Sequence, residues 1–134
     1  MARLVVDTNS LLRSLSRKSE FHDFWVSLFD GRNILCVSNE ILDEYEEILQ
    51  LKTTRELASL VIKAIINNPY TEFISIYYSF ELIATDTDDN KFVDCAVAAN
   101  ARYVVTNDRH FDVLKSIEFP KVDIITLEEI LAQL

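Results

Sequence analysis

Three apolar runs in this chain are too short for helices and too continuous for half-exposed strands. They are Leu4-Val5-Val6, Ile34-Leu35-Cys36-Val37 and Tyr103-Val104-Val105. Such runs mark strands buried on both faces, as in a parallel sheet covered by helices. Residues 122–125 read as a further strand, and residues 72–76 as a strand or an extended connector. Between them, apolar residues recur at helical spacing, as at Leu57, Leu60, Val61, Ala64 and Ile65. Helices are expected at residues 10–15, 20–29, 39–51, 54–67, 92–101 and 127–134, with a short helical turn at 111–114. Ser38 and Thr126 stand where N-caps belong. Alternating strands and helices predict an α/β fold. At 134 residues with 49% hydrophobic content, the chain can bury a core as one domain spanning 1–134.

Composition removes several functions. Gly31 is the only glycine. Neither a dinucleotide-binding G-x-G-x-x-G motif nor a phosphate-cradling P-loop can be built without glycines. Phosphate chemistry here would have to use metal and side chains. Cys36 and Cys95 sit in apolar surroundings and are expected as buried thiols. Two cysteines and two histidines without close spacing make no zinc site. No apolar run approaches the ~20 residues that span a bilayer. With Met1-Ala2-Arg3 leading straight into a strand, a cytoplasmic setting and no membrane partner are expected.

The net charge of −9 argues, taken alone, against a nucleic-acid partner. The alternative is that part of this charge is gathered in a site that needs cations. The position of the acids favours that alternative. Asp7 ends the first strand, and Asp108 follows the Tyr103 strand. Both therefore lie at strand C-terminal ends, where open α/β sheets bind ligands. Asp7 could cap the following helix, yet Thr8 can do so by itself and leave Asp7 free. Asn9 adds an oxygen two residues on. Asp108 could cap the turn Arg109-His110-Phe111. Glu44 is the acid nearest the apolar stripe of Ile41, Leu42, Tyr45, Ile48 and Leu49, and a solvated acidic face is its alternative reading. Asp94 is the only charge between Lys91 and Arg102, in a segment of small apolar residues. A charge there is costly unless it is paired or ligates a metal. Asp89 opens this helix and reads as its N-cap, at the rim of any site. Asp86 and Asp88 read as solvated, and His110 as a surface histidine. Arg13, Arg17 and Lys18 follow the first strand within two helical turns and are candidate phosphate contacts, with a solvated loop as the alternative reading.

In order, Val5-Val6-Asp7-Thr8-Asn9, Ser38 to Tyr45, Asp89-Asn90-Lys91-Phe92-Val93-Asp94-Cys95-Ala96 and Val104-Val105-Thr106-Asn107-Asp108 resemble the PIN-domain ribonucleases. The branch they resemble most is that of the toxin components of prokaryotic toxin–antitoxin pairs. The resemblance covers nearly the whole chain. It matches the family's four acids to Asp7, Glu44, Asp94 and Asp108, with Asn9, Asp89 and Thr106 as secondary residues. Asn107 stands where this branch commonly has glycine. The resemblance implies a three-layer α/β/α sandwich with a central parallel sheet of about five strands. It also implies Mg²⁺ or Mn²⁺ held by Asp7, Asp94 and Asp108, with Glu44 binding the ion or orienting a water. Hydrolysis of RNA, a homodimer and an antitoxin partner follow from the same source. The alternative is a catalytically silent PIN-like module that binds RNA or protein. An aspartyl-phosphate phosphatase is excluded by Asn9, where Asp-x-Asp would be needed. A receiver domain is excluded by Ser38, where a middle strand would have to end in an acid.

Overall fold

The computed structural model describes residues 1–134. The strands are β1 (Ala2–Val6), β2 (Asn33–Val37), β3 (Thr71–Phe73), β4 (Tyr103–Val105) and β5 (Ile124–Ile125). The helices are α1 (Thr8–Leu15), α2 (His22–Ser27), α3 (Asn39–Lys52), α4 (Arg55–Asn67), α5 (Asn90–Ala99) and α6 (Leu127–Ala132). Short 3₁₀ turns run over Thr87–Asp89 and Arg109–Ser116. The five strands lie in the order β3-β2-β1-β4-β5, every neighbouring pair parallel. The α/β sheet expected from the apolar runs is therefore present. Its edge strands are shorter than expected, and the fifth is reduced to two residues.

Burial explains the runs. Leu4, Val5, Val6, Leu35, Cys36, Val37, Val104 and Val105 are all fully buried, so the C-terminal parts of the three central strands are closed off from water on both faces. Each helix start has its own local cause. The side chains of Ser38, Thr54 and Thr126 accept the N–H groups of Ile41, Leu57 and Glu129, the last within a capping box. Asn100 closes α5 in the left-handed conformation that asparagine tolerates. Gly31 has φ of +88° and carries the ring of Tyr70 where a Cβ would stand.

The connections from β1 run to β2 and β3 on one side, and the chain then returns to place β4 on the other. Right-handed crossovers therefore put helices on both faces. They also open a crevice at the C-terminal ends of β1 and β4, the topological switch point of the sheet.

Candidate active site

Asp7 and Asp108 flank the switch point, and Thr106 holds them in one geometry. The Asp7 N–H donates to the Val105 carbonyl at 3.1 Å, continuing the ladder one residue past the strands. Asp7 Oδ1 accepts the Ser10 N–H at 2.8 Å, and Oδ2 accepts the Thr106 hydroxyl. The same hydroxyl oxygen accepts the Asp108 N–H at 3.0 Å. One buried threonine thus fixes an acid on each of two strands. Beneath them, the fully buried Tyr45 donates its hydroxyl to the Val6 carbonyl. Asp7 caps α1 itself, contrary to the expectation that Thr8 would do so. The Thr8 hydroxyl instead donates to Glu44 Oε2. Glu44 Oε1 accepts from Lys91 Nζ at 2.7 Å. Glu44 therefore reaches the site's edge through the neighbour of Asp7, as a flank position allows.

The third acid at the crevice is Asp89, brought in by the start of α5. It stands at the N-cap position of that helix, as expected, but its side chain makes no capping bond. Its side chain is 16% exposed, and its Oδ2 is buried without a hydrogen-bond partner. A buried charged oxygen left unsatisfied is costly and calls for a ligand or a function. Burial, then the charges of Asp86, Asp108 and Asp7, push the Asp89 carboxyl up to about 7, while His110 opposes the rise. Asp7 is also held above its ordinary value. Burial is the main cause, Asp108 adds to it, and the bonds from Thr106 and Ser10 work against it. Carboxylates held at this cost, in a crevice of oxygen donors, fit a hard divalent cation.

Asp94 does not join them. At about 100° per residue, five residues along a helix turn the side chain by roughly 140° from that of Asp89. Asp94 is 6% exposed and faces the connector between β3 and α5, where its Oδ1 accepts the Phe80 N–H at 3.0 Å. One turn earlier on the same face, Asn90 both accepts the Ile83 N–H and donates to the Ile83 carbonyl, each at 2.9 Å. The lone charge in an apolar helix is thus paired with backbone, and it helps to clamp an extended segment. Its cleft is lined by Glu40, Tyr77, Tyr78 and Lys91, whereas Asp7, Asn9 and Asp108 line another of about 680 Å³.

Other residues also differ from the sequence reading. His110 is a surface histidine, as expected, but it is also gathered with acids: its Nδ1 lies 3.4 Å from Asp108, 3.9 Å from Asp86 and 4.0 Å from Asp89. Arg13 lines the Asp7–Asp108 cleft, while Arg17 and Lys18 are exposed in the turn beyond α1 and do not line it. Lys52, at the end of α3, lines the cleft as well, which the sequence did not suggest. Only tertiary packing of α3 beside α1 brings it there, so no local pattern marks it. Asn107, in the place of a glycine, does not adopt positive φ. Its amide donates to Glu128 at 2.7 Å and accepts the Leu127 N–H at 2.9 Å, tying the site loop to α6. Cys36 and Cys95 are buried free thiols, as expected. No helix is long and apolar enough to cross a membrane.

Comparison with known proteins gives a consistent picture. The PIN domain family matches residues 3–110. No curated protein matches the chain. Among solved structures, VapBC2 from Rickettsia felis, bound to a DNA fragment from its promoter, superposes with a TM-score of 0.66. It is 17% identical, over 92% of this chain and 98% of that one. VapBC from Salmonella typhimurium, also DNA-bound, gives 0.62 at 20% identity, over 95% and 99%. VapC20 from Mycobacterium tuberculosis, a Sarcin–Ricin loop cleaving toxin, gives 0.59 at 12% identity, over 81% and 92%. At these identities the likeness is one of fold.

Proposed function

The chain belongs to the PIN-domain family, and from that premise we propose that residues 1–134 form one metal-dependent endoribonuclease domain that hydrolyses RNA phosphodiester bonds. The observation that carries the reading is the buried, unpartnered Oδ2 of Asp89, beside Asp7 and Asp108 at the switch point. Asp7, Asp89 and Asp108 would hold Mg²⁺ or Mn²⁺, with Glu44 at the rim. Asp89 takes the place that the sequence pattern gives to Asp94.

When bound, the cation supplies Lewis-acid stabilisation of phosphoryl charge and lowers the pKa of a water. The protein supplies position. Thr106 fixes the spacing of the first and last acids by bonding to both. Glu44, tied by Thr8 and balanced by Lys91, accepts a hydrogen bond from the attacking water and sets its direction. The water oxygen would add to phosphorus as the bond to the leaving ester oxygen breaks, with the water's proton passing to solvent and solvent protonating the leaving oxygen. Arg13 and Lys52 on the cleft wall contact phosphates beside the scissile one. They give an acidic protein a local path for RNA. Asn9, on the same wall, offers an amide to substrate or metal-bound water.

The toxin role, with an antitoxin partner and a homodimer, is part of the same proposal. The two VapBC structures of similar fold, and VapC20, a Sarcin–Ricin loop cleaving toxin, support the toxin role.

Incubation of the purified chain with single-stranded and structured RNA in EDTA, Mg²⁺ or Mn²⁺ tests the proposal. Internal cleavage that needs the metal is expected. Binding without cleavage across RNA pools in either metal would overturn it in favour of a silent binding module.

A further inference from the structure

The three-acid reading leaves His110 unexplained. This side chain comes from the turn after β4, yet it meets two acids from the segment before α5. One of its ring nitrogens and one carboxylate oxygen each from Asp86 and Asp89 lie within 4.8 Å of one another. Asp108 Oδ1 lies 3.4 Å from the same nitrogen. Ligand atoms around an octahedral ion with bonds of about 2.1 Å stand roughly 3.0 Å apart in adjacent positions and 4.2 Å apart in opposite ones. The separations from Nδ1 of 3.4, 3.9 and 4.0 Å fall inside that range. These contacts are ion pairs only when the imidazole is protonated; as a neutral ring it offers a lone pair to a cation at the same distances.

A second observation points to a ligand rather than to a solvated cluster. The Asp89 oxygen nearest His110, Oδ2, is the one buried with no partner. The cheap ways of satisfying it are absent. It does not cap α5. No lysine or arginine pairs with it. The Asp86 carboxylate, whose Oδ1 accepts the Asp88 N–H, directs its other oxygen toward the imidazole.

We propose that His110 is a ligand of the metal centre, that Asp86 joins it there, and that this nitrogen donor makes the site select Mn²⁺ over Mg²⁺. The inference rests on the metal-dependent reading above and adds a donor type to it. Mg²⁺ takes oxygen almost exclusively, and first-row transition ions accept imidazole as well. An all-carboxylate site would distinguish the two ions weakly, and a mixed site distinguishes them by the nitrogen bond.

The test is direct metal binding, without RNA. Mn²⁺ and Mg²⁺ are titrated separately at about pH 8, where imidazole is neutral. Wild type, His110→Ala and Asp89→Asn are compared by thermal shift and by calorimetry. Pulsed EPR of the Mn²⁺-loaded protein reads nitrogen coupling. His110 is 51% exposed, so its removal leaves the fold intact, and the melting temperature in EDTA checks this. Wild type is expected to bind Mn²⁺ more tightly than Mg²⁺ and to show imidazole nitrogen coupling. His110→Ala is expected to lose roughly tenfold or more in Mn²⁺ affinity, to keep its Mg²⁺ affinity, and to lose the coupling. Asp89→Asn is expected to weaken both metals. An unchanged Mn²⁺ to Mg²⁺ ratio in His110→Ala, or no nitrogen coupling in wild type, overturns the role of His110 and leaves the three-acid site standing. No binding of either metal to wild type overturns both.

Discussion

Replacing Asp89 with asparagine is expected to make the metal-free protein more stable, although it removes an acid assigned to the active site. The Asp89 carboxyl is pushed from the ordinary 3.8 to about 7 by burial and by three neighbouring carboxylates. An acid raised in the folded state binds its proton more tightly there than in the unfolded chain. Its stabilising contribution is therefore complete below about pH 4 and is lost as pH rises through about 7. Across that window, at about 1.4 kcal/mol per pH unit, the ceiling is about 4 kcal/mol. Asparagine carries no charge to desolvate, but it leaves a buried amide that costs ~1–2 kcal/mol if unpaired. The expected net gain above pH 7 is ~2–3 kcal/mol. At about 4 °C per kcal/mol for a chain of this size, the melting temperature in EDTA at about pH 8 rises by ~8–12 °C. At about pH 4 only the cost of the unpaired amide remains, and Asp89→Asn melts ~4–8 °C below wild type. Scanning calorimetry of both from pH 4 to 8 in EDTA measures this. A wild-type melting temperature that is flat with pH, with Asp89→Asn equal or lower at pH 8, would refute the reasoning.

Asp94→Ala leaves the Phe80 N–H without its acceptor and is expected to cost about 1–3 kcal/mol by denaturant unfolding. Asp94→Asn keeps an acceptor oxygen and costs under about 1 kcal/mol. Thr106→Val removes the link between Asp7 and Asp108, so metal affinity falls by roughly 10-fold or more in calorimetry. Arg13→Ala combined with Lys52→Ala weakens RNA binding and lowers the slope of log affinity against log salt by about 1.4, or about 0.7 for each phosphate no longer neutralised. Arg17→Ala with Lys18→Ala leaves that slope unchanged. Gly31→Ala meets both a positive φ and the Tyr70 ring, and is expected to lower the melting temperature in a thermal scan.

Much of the fold was legible because its causes are local. The buried strands are short apolar runs, and the helix starts carry their own caps at Ser38 and Thr126. Asp7 and Asp108 were legible for a related reason: a parallel sheet sends every strand end to one edge. Asp89 and Asp94 were not separable in this way. A lone charge among small apolar residues signals that something satisfies it, but not what. Here the partner is a backbone N–H from the connector, which no periodicity reveals. The one usable signal was helical phase. Asn90 and Asp94 are four residues apart on one face, and Asp89 lies off it. His110, Asp86 and Lys52 carry no such local mark, because only the packing of separate segments gathers His110 with Asp86 and brings Lys52 to the cleft. The cap at Asp7 was misjudged because Thr8 had a better use in Glu44.

The central claim is that Asp89, and not Asp94, completes the metal site with Asp7 and Asp108. Cleavage of RNA by wild type, Asp89→Asn and Asp94→Asn, side by side in Mn²⁺, tests it most directly. Asp89→Asn is expected to lose activity by roughly 100-fold or more, while Asp94→Asn stays close to wild type. Full activity in Asp89→Asn with loss in Asp94→Asn would contradict the account and restore Asp94 as the third acid of the site.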